Sequence, residues 1–245
     1  MTWDIKKLNQ HKKAAELINK IKDEAFALIK NTPGISEFEV QKFIMDGFEK
    51  YDLKTDSDKA IVAFRENTGF VHNYPDEVSK RIAPESLIMI DLWARLDEED
   101  APFADITWMA YYGERVDKEI FQVYLLVIKA RNAALKFIRR NLKKGKLPIG
   151  KEIDDIVRGV IKTAGYGEKF THTTGHSLGF DSPHGKEFGL NWKNEHPLIK
   201  NLPYTIEPGV YLEGNFGIRS EIDFYIDNDL QLIITTKVQD ELIII

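Results

Sequence analysis

Cysteine is absent from the 245 residues. That excludes disulfides, thiolate metal ligands and a cysteine nucleophile together. No stretch approaches the ~18 consecutive apolar residues that a membrane span needs. The start, MTWDIKKLNQHKK, is polar and carries no apolar signal core. A cytoplasmic protein is the simplest inference. A dominant charge is missing too. The net charge is −5, with both signs mixed along most of the chain, which argues against nucleic acid or an anionic membrane as the main partner. One basic run, RRNLKKGKLPIGK at 139–151, reads as a solvated helix end whose cations offset the C-terminal dipole.

What is present is ordinary for a globular protein: 43% hydrophobic and 30% charged residues. The length suffices for one large core or two fused halves. Residues 4–30 read as a long amphipathic helix, with Ile5, Leu8, Leu17, Ile18, Ile21, Ala25, Leu28 and Ile29 at helical spacing. NTPG at 31–34 ends it. Ser36 and Glu39 then form a capping box for a second helix reaching about Tyr51. Residues 59–69 read as a strand and turn, and 86–96 as a buried strand. The same order then returns: a long helix at 117–142, a breaker, and a shorter helix at 151–165. Strand-like segments follow at 202–214, 218–228 and 230–238. The pattern predicts an α+β unit of two related α/β halves, with long helices packed on mainly antiparallel sheets.

Four acidic residues lie among apolar neighbours: Asp91 in LIMIDLWA, Asp105 in PFADITWM, Glu207 in YTIEPGVYL and Glu221 in IRSEIDFYI. An ionised carboxylate there needs a cation or several donors. A shared divalent metal accounts for all four at once. Three of the six histidines fall in FTHTTGHSLGFDSPHG: His172, His176 and His184. The threonines and glycine around the first two argue against a helix, so no zincin motif is formed. On extended chain, positions four apart are separated by ~13 Å. Of His172 and His176, then, at most one ligates directly, unless the chain bends sharply at Gly175.

These residues resemble the pita-bread family of methionine aminopeptidase, aminopeptidase P, prolidase and creatinase. The resemblance rests on five ordered contexts covering almost the whole chain: Asp91 in MIDLWA, Asp105 in ADIT, His176 in GHSLG, Glu207 in IEPGVY and Glu221 in GIRSEIDF. It implies a duplicated pita-bread fold, with a single catalytic domain over 1–245 and pseudo-repeats about 1–115 and 116–245. The N-terminal domain of larger relatives is expected to be missing, and a homodimer is compatible with the resemblance. It further implies two divalent ions, manganese first among manganese, cobalt, zinc and iron. Asp105 and Glu221 would bridge them, Asp91 would serve one, and His176 with Glu207 the other. Ions ~3.5–4 Å apart can share a hydroxide and polarise a peptide carbonyl. Glu207 would shuttle the proton, while His72, His172, His184 and Arg219 would hold substrate or pack near the last ligand.

The 14-residue step from Glu207 to Glu221 and the presence of His172 resemble the Xaa-Pro branch, which implies a peptide substrate cut before proline. The chain departs from the family pattern at four places. The step of 14 residues from Asp91 to Asp105 is about three longer than is usual there. Trp93 stands where a glycine is usual, Trp108 where an arginine is usual, and His184 comes one residue late, followed by Gly185. Two alternatives therefore stay open: a pita-bread protein that binds peptides without cleaving them, and a hydrolase of a non-peptide C–N bond.

Overall fold

The computed structural model describes residues 2–245. Asp4 caps the first helix, α1 (Ile5–Asn31), by accepting a hydrogen bond from the Lys7 amide. Ser36 and Glu39 exchange the expected capping-box bonds at the start of α2 (Glu37–Lys50). Each such box is worth ~1 kcal/mol. After the short strands β1 (Leu53–Lys54) and β2 (Ile61–Phe64) come two long ones, β3 (Ser86–Leu96) and β4 (Ala104–Tyr112). The long-helix, short-helix order then repeats as α3 (Lys118–Leu142) and α4 (Gly150–Thr163). Six short strands complete the chain: β5 (Tyr204–Ile206), β6 (Gly209–Leu212), β7 (Phe216–Arg219), β8 (Ile222–Ile226), β9 (Leu232–Ile234) and β10 (Ile243–Ile244).

The largest sheet runs β1-β3-β4-β10, with β2 also on β3. A second runs β5-β8-β9, and β6 pairs with β7. Every named pairing is antiparallel except β4 with β10. Alternation on β3 and β4 divides the interior. Ile88, Ile90, Leu92, Ile106 and Trp108 pack toward the face that carries α1 and α2. Leu87, Met89, Met109 and Tyr111 join the core of α3, α4 and the later strands.

Residues 59–69 form the expected strand and turn, as Ile61–Phe64 followed by a 3-10 turn at Arg65–Gly69. Two strand expectations need adjustment. The 218–228 segment breaks at Ser220 and Glu221, whose amides donate to Pro208 and Thr107 carbonyls rather than to one continuous ladder. Residues 230–238 shrink to three, because the Asp223 amide donates to Thr236 Oγ1 and ends the pairing. Neither β4 nor β10 was expected from sequence. The partner of β10 lies more than a hundred residues upstream, and two residues carry no periodicity.

His11 on α1 is fully buried and joins the two layers. Its Nδ1 lies 2.9 Å from the Phe103 carbonyl and its Nε2 2.7 Å from Thr235 Oγ1. A carbonyl only accepts, so Nδ1 carries a proton. Burial lowers its pKa from 6.5 to about 4. The unfolded chain therefore takes up a proton first as pH falls, and stability declines from pH 6.5 down to about 4. The gap corresponds to ~3 kcal/mol. His11→Asn should flatten that slope by close to one proton, measured as the difference in urea-unfolding free energy between the two proteins from pH 4 to 7. Parallel slopes would refute the assignment.

Candidate active site

β3 and β4 build the floor of the site. Their register sets Asp91 opposite Thr107 and Trp93 opposite Asp105, and directly opposed residues share a sheet face. Asp91, Trp93, Asp105 and Thr107 thus project together. The loop at 97–103 joins the two strands, and the register runs unbroken from Ser86 opposite Tyr112 to Ala94 opposite Ala104. Glu221 arrives from the break between β7 and β8, where its amide donates to the Thr107 carbonyl and its Oε2 accepts from Thr107 Oγ1 at 2.8 Å. His176 comes from the irregular segment before β5. That segment crosses Thr205 so closely that a Cβ on Gly175 would lie 2.1 Å from the Thr205 carbonyl oxygen. Gly175→Ala should cost ~2 kcal/mol through backbone displacement and lower activity with it. A melting temperature equal to wild type would show that the segment yields freely.

Asp105, His176 and Glu221 each place a potential ligand atom within 4.8 Å of the others. Glu207 flanks this group, with Oε1 3.5 Å from His176 Nε2 and 3.2 Å from Thr205 Oγ1. Asp91 is turned toward Arg219, whose Nη2 donates to its Oδ2. All five expected ligands line one cleft of about 250 Å³, together with His72, His172, His184 and Arg219. The tight trio contains His176 and not His172, within the limit of at most one of the two.

The electrostatics call for a cation. Burial first, then the neighbouring carboxylates, raise Asp105 and Glu221 well above the ordinary carboxylate range. Burial pushes Glu207 up to about 7, against the pull of Arg219. Burial also holds His176 and His172 down to about 3, so both rings are neutral donors of a lone pair. Among the described residues Arg219 is the only cation lining the cleft. Asp91 Oδ1 and Asp105 Oδ1 are buried with no hydrogen-bond partner. Several carboxylates, one neutral imidazole and two unsatisfied oxygens form a donor set that fits hard or borderline divalent metal ions.

The remaining histidines differ in availability. His172 donates from Nδ1 to the Thr173 carbonyl, and its Nε2 accepts from the Tyr211 hydroxyl at 2.8 Å. That hydroxyl accepts in turn from Arg219 Nη1. The ring of His184 lies 4.1 Å from that of His176 and makes no hydrogen bond among the described residues. His72 is exposed at the rim and stacks parallel to Tyr74. The extra residue before His184 therefore does not remove it from the site.

Sequence reading overlooked four participants. Tyr211 is seated by Gly209 and Gly217, where a Cβ would approach its ring to 2.5–2.8 Å; the glycine-flanked hairpin was the available signal. Asp223, two positions after Glu221 and so on the same side of the strand, accepts from the Asp105 amide through Oδ2. Asp154 and Arg158 look like a solvated i,i+4 pair on α4. In the fold Asp154 accepts from the Thr174 amide and hydroxyl. Arg158 donates to the Phe170 and His172 carbonyls and lies over the Phe170 and Trp192 rings. The pair ties the histidine-bearing segment to the helix, and nothing local in sequence reveals it. Trp108, by contrast, takes no part in the cleft. It points to α1, where Lys22 Nζ sits 3.3 Å from its ring centroid.

A carboxylate-rich, histidine-containing donor set gathered in one buried cleft defines the class: a pita-bread fold with a candidate metal site. Residues 9–228 match metallopeptidase family M24, and the chain belongs to that family. It is 27% identical to an X-Pro aminopeptidase from Thermotoga maritima, whose crystal structure matches with a TM-score of 0.86 over 100% of this chain and 65% of that one. A prolidase from Thermococcus sibiricus matches at 28% identity and TM-score 0.86, over 100% and 62% of the two chains. An uncharacterized peptidase of Staphylococcus aureus is 29% identical over 222 residues, 91% of this chain and 59% of the relative. The chain thus spans 59–65% of the length of these relatives. No helix among the described residues is long and apolar enough to cross a membrane.

Proposed function

We propose that the chain is the catalytic unit of a metal-dependent exopeptidase that cleaves peptides before proline, with halves at about 1–115 and 116–245 closing on one site. The observation that carries this reading is the convergence of Asp105, His176 and Glu221 within 4.8 Å in a buried, carboxylate-rich cleft. Asp91 and Glu207 complete a five-residue set for two divalent ions. Manganese suits an oxygen-rich set with one imidazole best, ahead of cobalt, zinc and iron. Divalent ions bound there would polarise the peptide carbonyl and acidify water.

The chain's own groups supply the rest. Glu207, raised by burial, takes the proton of the attacking water and returns it to the leaving amine. Thr205 holds its Oε1. His184, whose ring makes no hydrogen bond among the described residues, donates to the substrate carbonyl or the charge that develops on it, and His72 serves the rim. His172 acts chiefly through Tyr211 and Arg219, since both its ring nitrogens are engaged.

Metal analysis and a peptide panel test the reading. The manganese-loaded protein should hold close to two equivalents and cleave Xaa-Pro peptides, and chelation should abolish cleavage. Glu207→Gln, which retains the shape of the side chain, should lower kcat ~100-fold. Undiminished cleavage by chelated protein, or a small molecule turned over faster than any peptide, would overturn it.

A further inference from the structure

We infer that Trp93 determines which peptides enter: it walls the side of the cleft that receives the substrate's N-terminal residue and limits that residue to a small side chain. The inference rests on the peptidase reading above. Trp93 lies directly across the sheet from Asp105, so its ring leaves the floor beside the trio that would hold the metal. The ring is buried, 7% exposed. Its inner side is filled by Ile61 and Phe103, both at most 1% exposed. Its edge is fixed, because Nε1 donates to Asp56 Oδ1 at 2.9 Å. That same oxygen accepts from the Asp58 amide at 3.2 Å, which holds the loop in a tight turn. The ring therefore neither retreats into the core nor swings aside.

The cleft of about 250 Å³ is smaller than the ~300–1,000 Å³ of sites that enclose drug-sized ligands. Charge decides which end of a peptide faces the ring. Asp56 and Asp58 line the cleft on the side of Trp93, and neither has a cationic partner among the described residues. They complement an α-ammonium group, whereas a C-terminal carboxylate would be repelled. With the ammonium on this side, the first side chain lies against the indole. Glycine, alanine and serine fit there, and leucine and phenylalanine meet the ring.

Manganese-loaded full-length protein assayed with Gly-Pro-Ala, Ala-Pro-Ala, Leu-Pro-Ala and Phe-Pro-Ala tests this. Wild type should prefer Ala-Pro-Ala to Phe-Pro-Ala at least tenfold in kcat/KM. Trp93→Ala should shift that ratio at least tenfold toward phenylalanine. Asp56→Ala, which frees the ring without touching the core, should shift it about threefold the same way and decides the matter if Trp93→Ala does not fold. A readout apart from turnover uses a Glu207→Gln background: Trp93 emission, taken as the difference from Trp93→Phe, should change on adding Ala-Pro-Ala and not Phe-Pro-Ala. Equal cleavage of both peptides by wild type, or folded variants that keep the wild-type ratio, would overturn the inference while leaving the peptidase reading intact. Failure of loaded wild type to cleave any peptide would overturn both.

Discussion

Asp105→Asn should abolish metal binding and lower peptide cleavage ~1,000-fold, about 4 kcal/mol of barrier, while making the metal-free protein more stable. The two halves of this result have one cause. Asp105 is buried among Asp91, Asp223, Glu207 and Glu221, and its Oδ1 has no partner. A charge held there without a counterion opposes folding; on the proposed reading, a divalent ion would turn it into a ligand. Asparagine retains the shape and removes the charge. Without metal, its melting temperature should exceed that of wild type by a few degrees. At a metal concentration ~100 times Kd, wild type should gain ~2.7 kcal/mol, some 5–10 °C for a chain of this size. The variant should gain nothing. A manganese-dependent rise in the Asp105→Asn protein would eliminate the bridging role.

Arg219→Leu should be the most damaging change to the fold itself. Arg219 Nε donates to Thr107 Oγ1 at 3.0 Å, Nη1 to the Val71 carbonyl at 3.1 Å and the Tyr211 hydroxyl at 2.8 Å, and Nη2 to Asp91. The side chain is buried, and so are Asp91, Thr107 and Tyr211. Leucine fills space but leaves one carboxylate and two hydroxyls short of a donor. Breaking a buried pair from one side costs ~3–5 kcal/mol, equivalent to ~10 °C in melting temperature here. Activity should fall further than stability explains, because Thr107 steadies Glu221 and Tyr211 steadies His172 through the same guanidinium. Arg219→Lys should restore the charge without the fork and recover only part of the loss. A leucine variant that melts within ~2 °C of wild type would mean that Asp91 finds another partner.

Helices α1 to α4 were legible because each combines a long apolar period with a local stop or cap, such as Asp4, Ser36 with Glu39, and NTPG. Asp91, Asp105, Glu207 and Glu221 were legible for the opposite reason: each lies among apolar neighbours that had no local use for a charge. The spacing argument that allowed at most one of His172 and His176 to ligate also agrees with the geometry, since chain extension is a local property. What was not legible is the different engagement of the two flanking rings: Tyr211, 39 residues beyond His172, occupies that ring's Nε2, whereas the His184 ring makes no hydrogen bond among the described residues.

By itself, then, the sequence determined the order of the four helices, the apolar contexts of the four carboxylates and the family likeness, each read from residues near one another in the chain. Only the tertiary structure decided how those groups are used. Arg219 reaches Asp91 across 128 positions and Thr107 bonds Glu221 across 114. Trp93 and Trp108 look like equal departures, yet β-sheet alternation and the packing of α1 send one into the cleft and the other to Lys22. Which face of a strand is buried against which layer is a property of the assembled sheets, and it is this that separates a pocket wall from a packing residue.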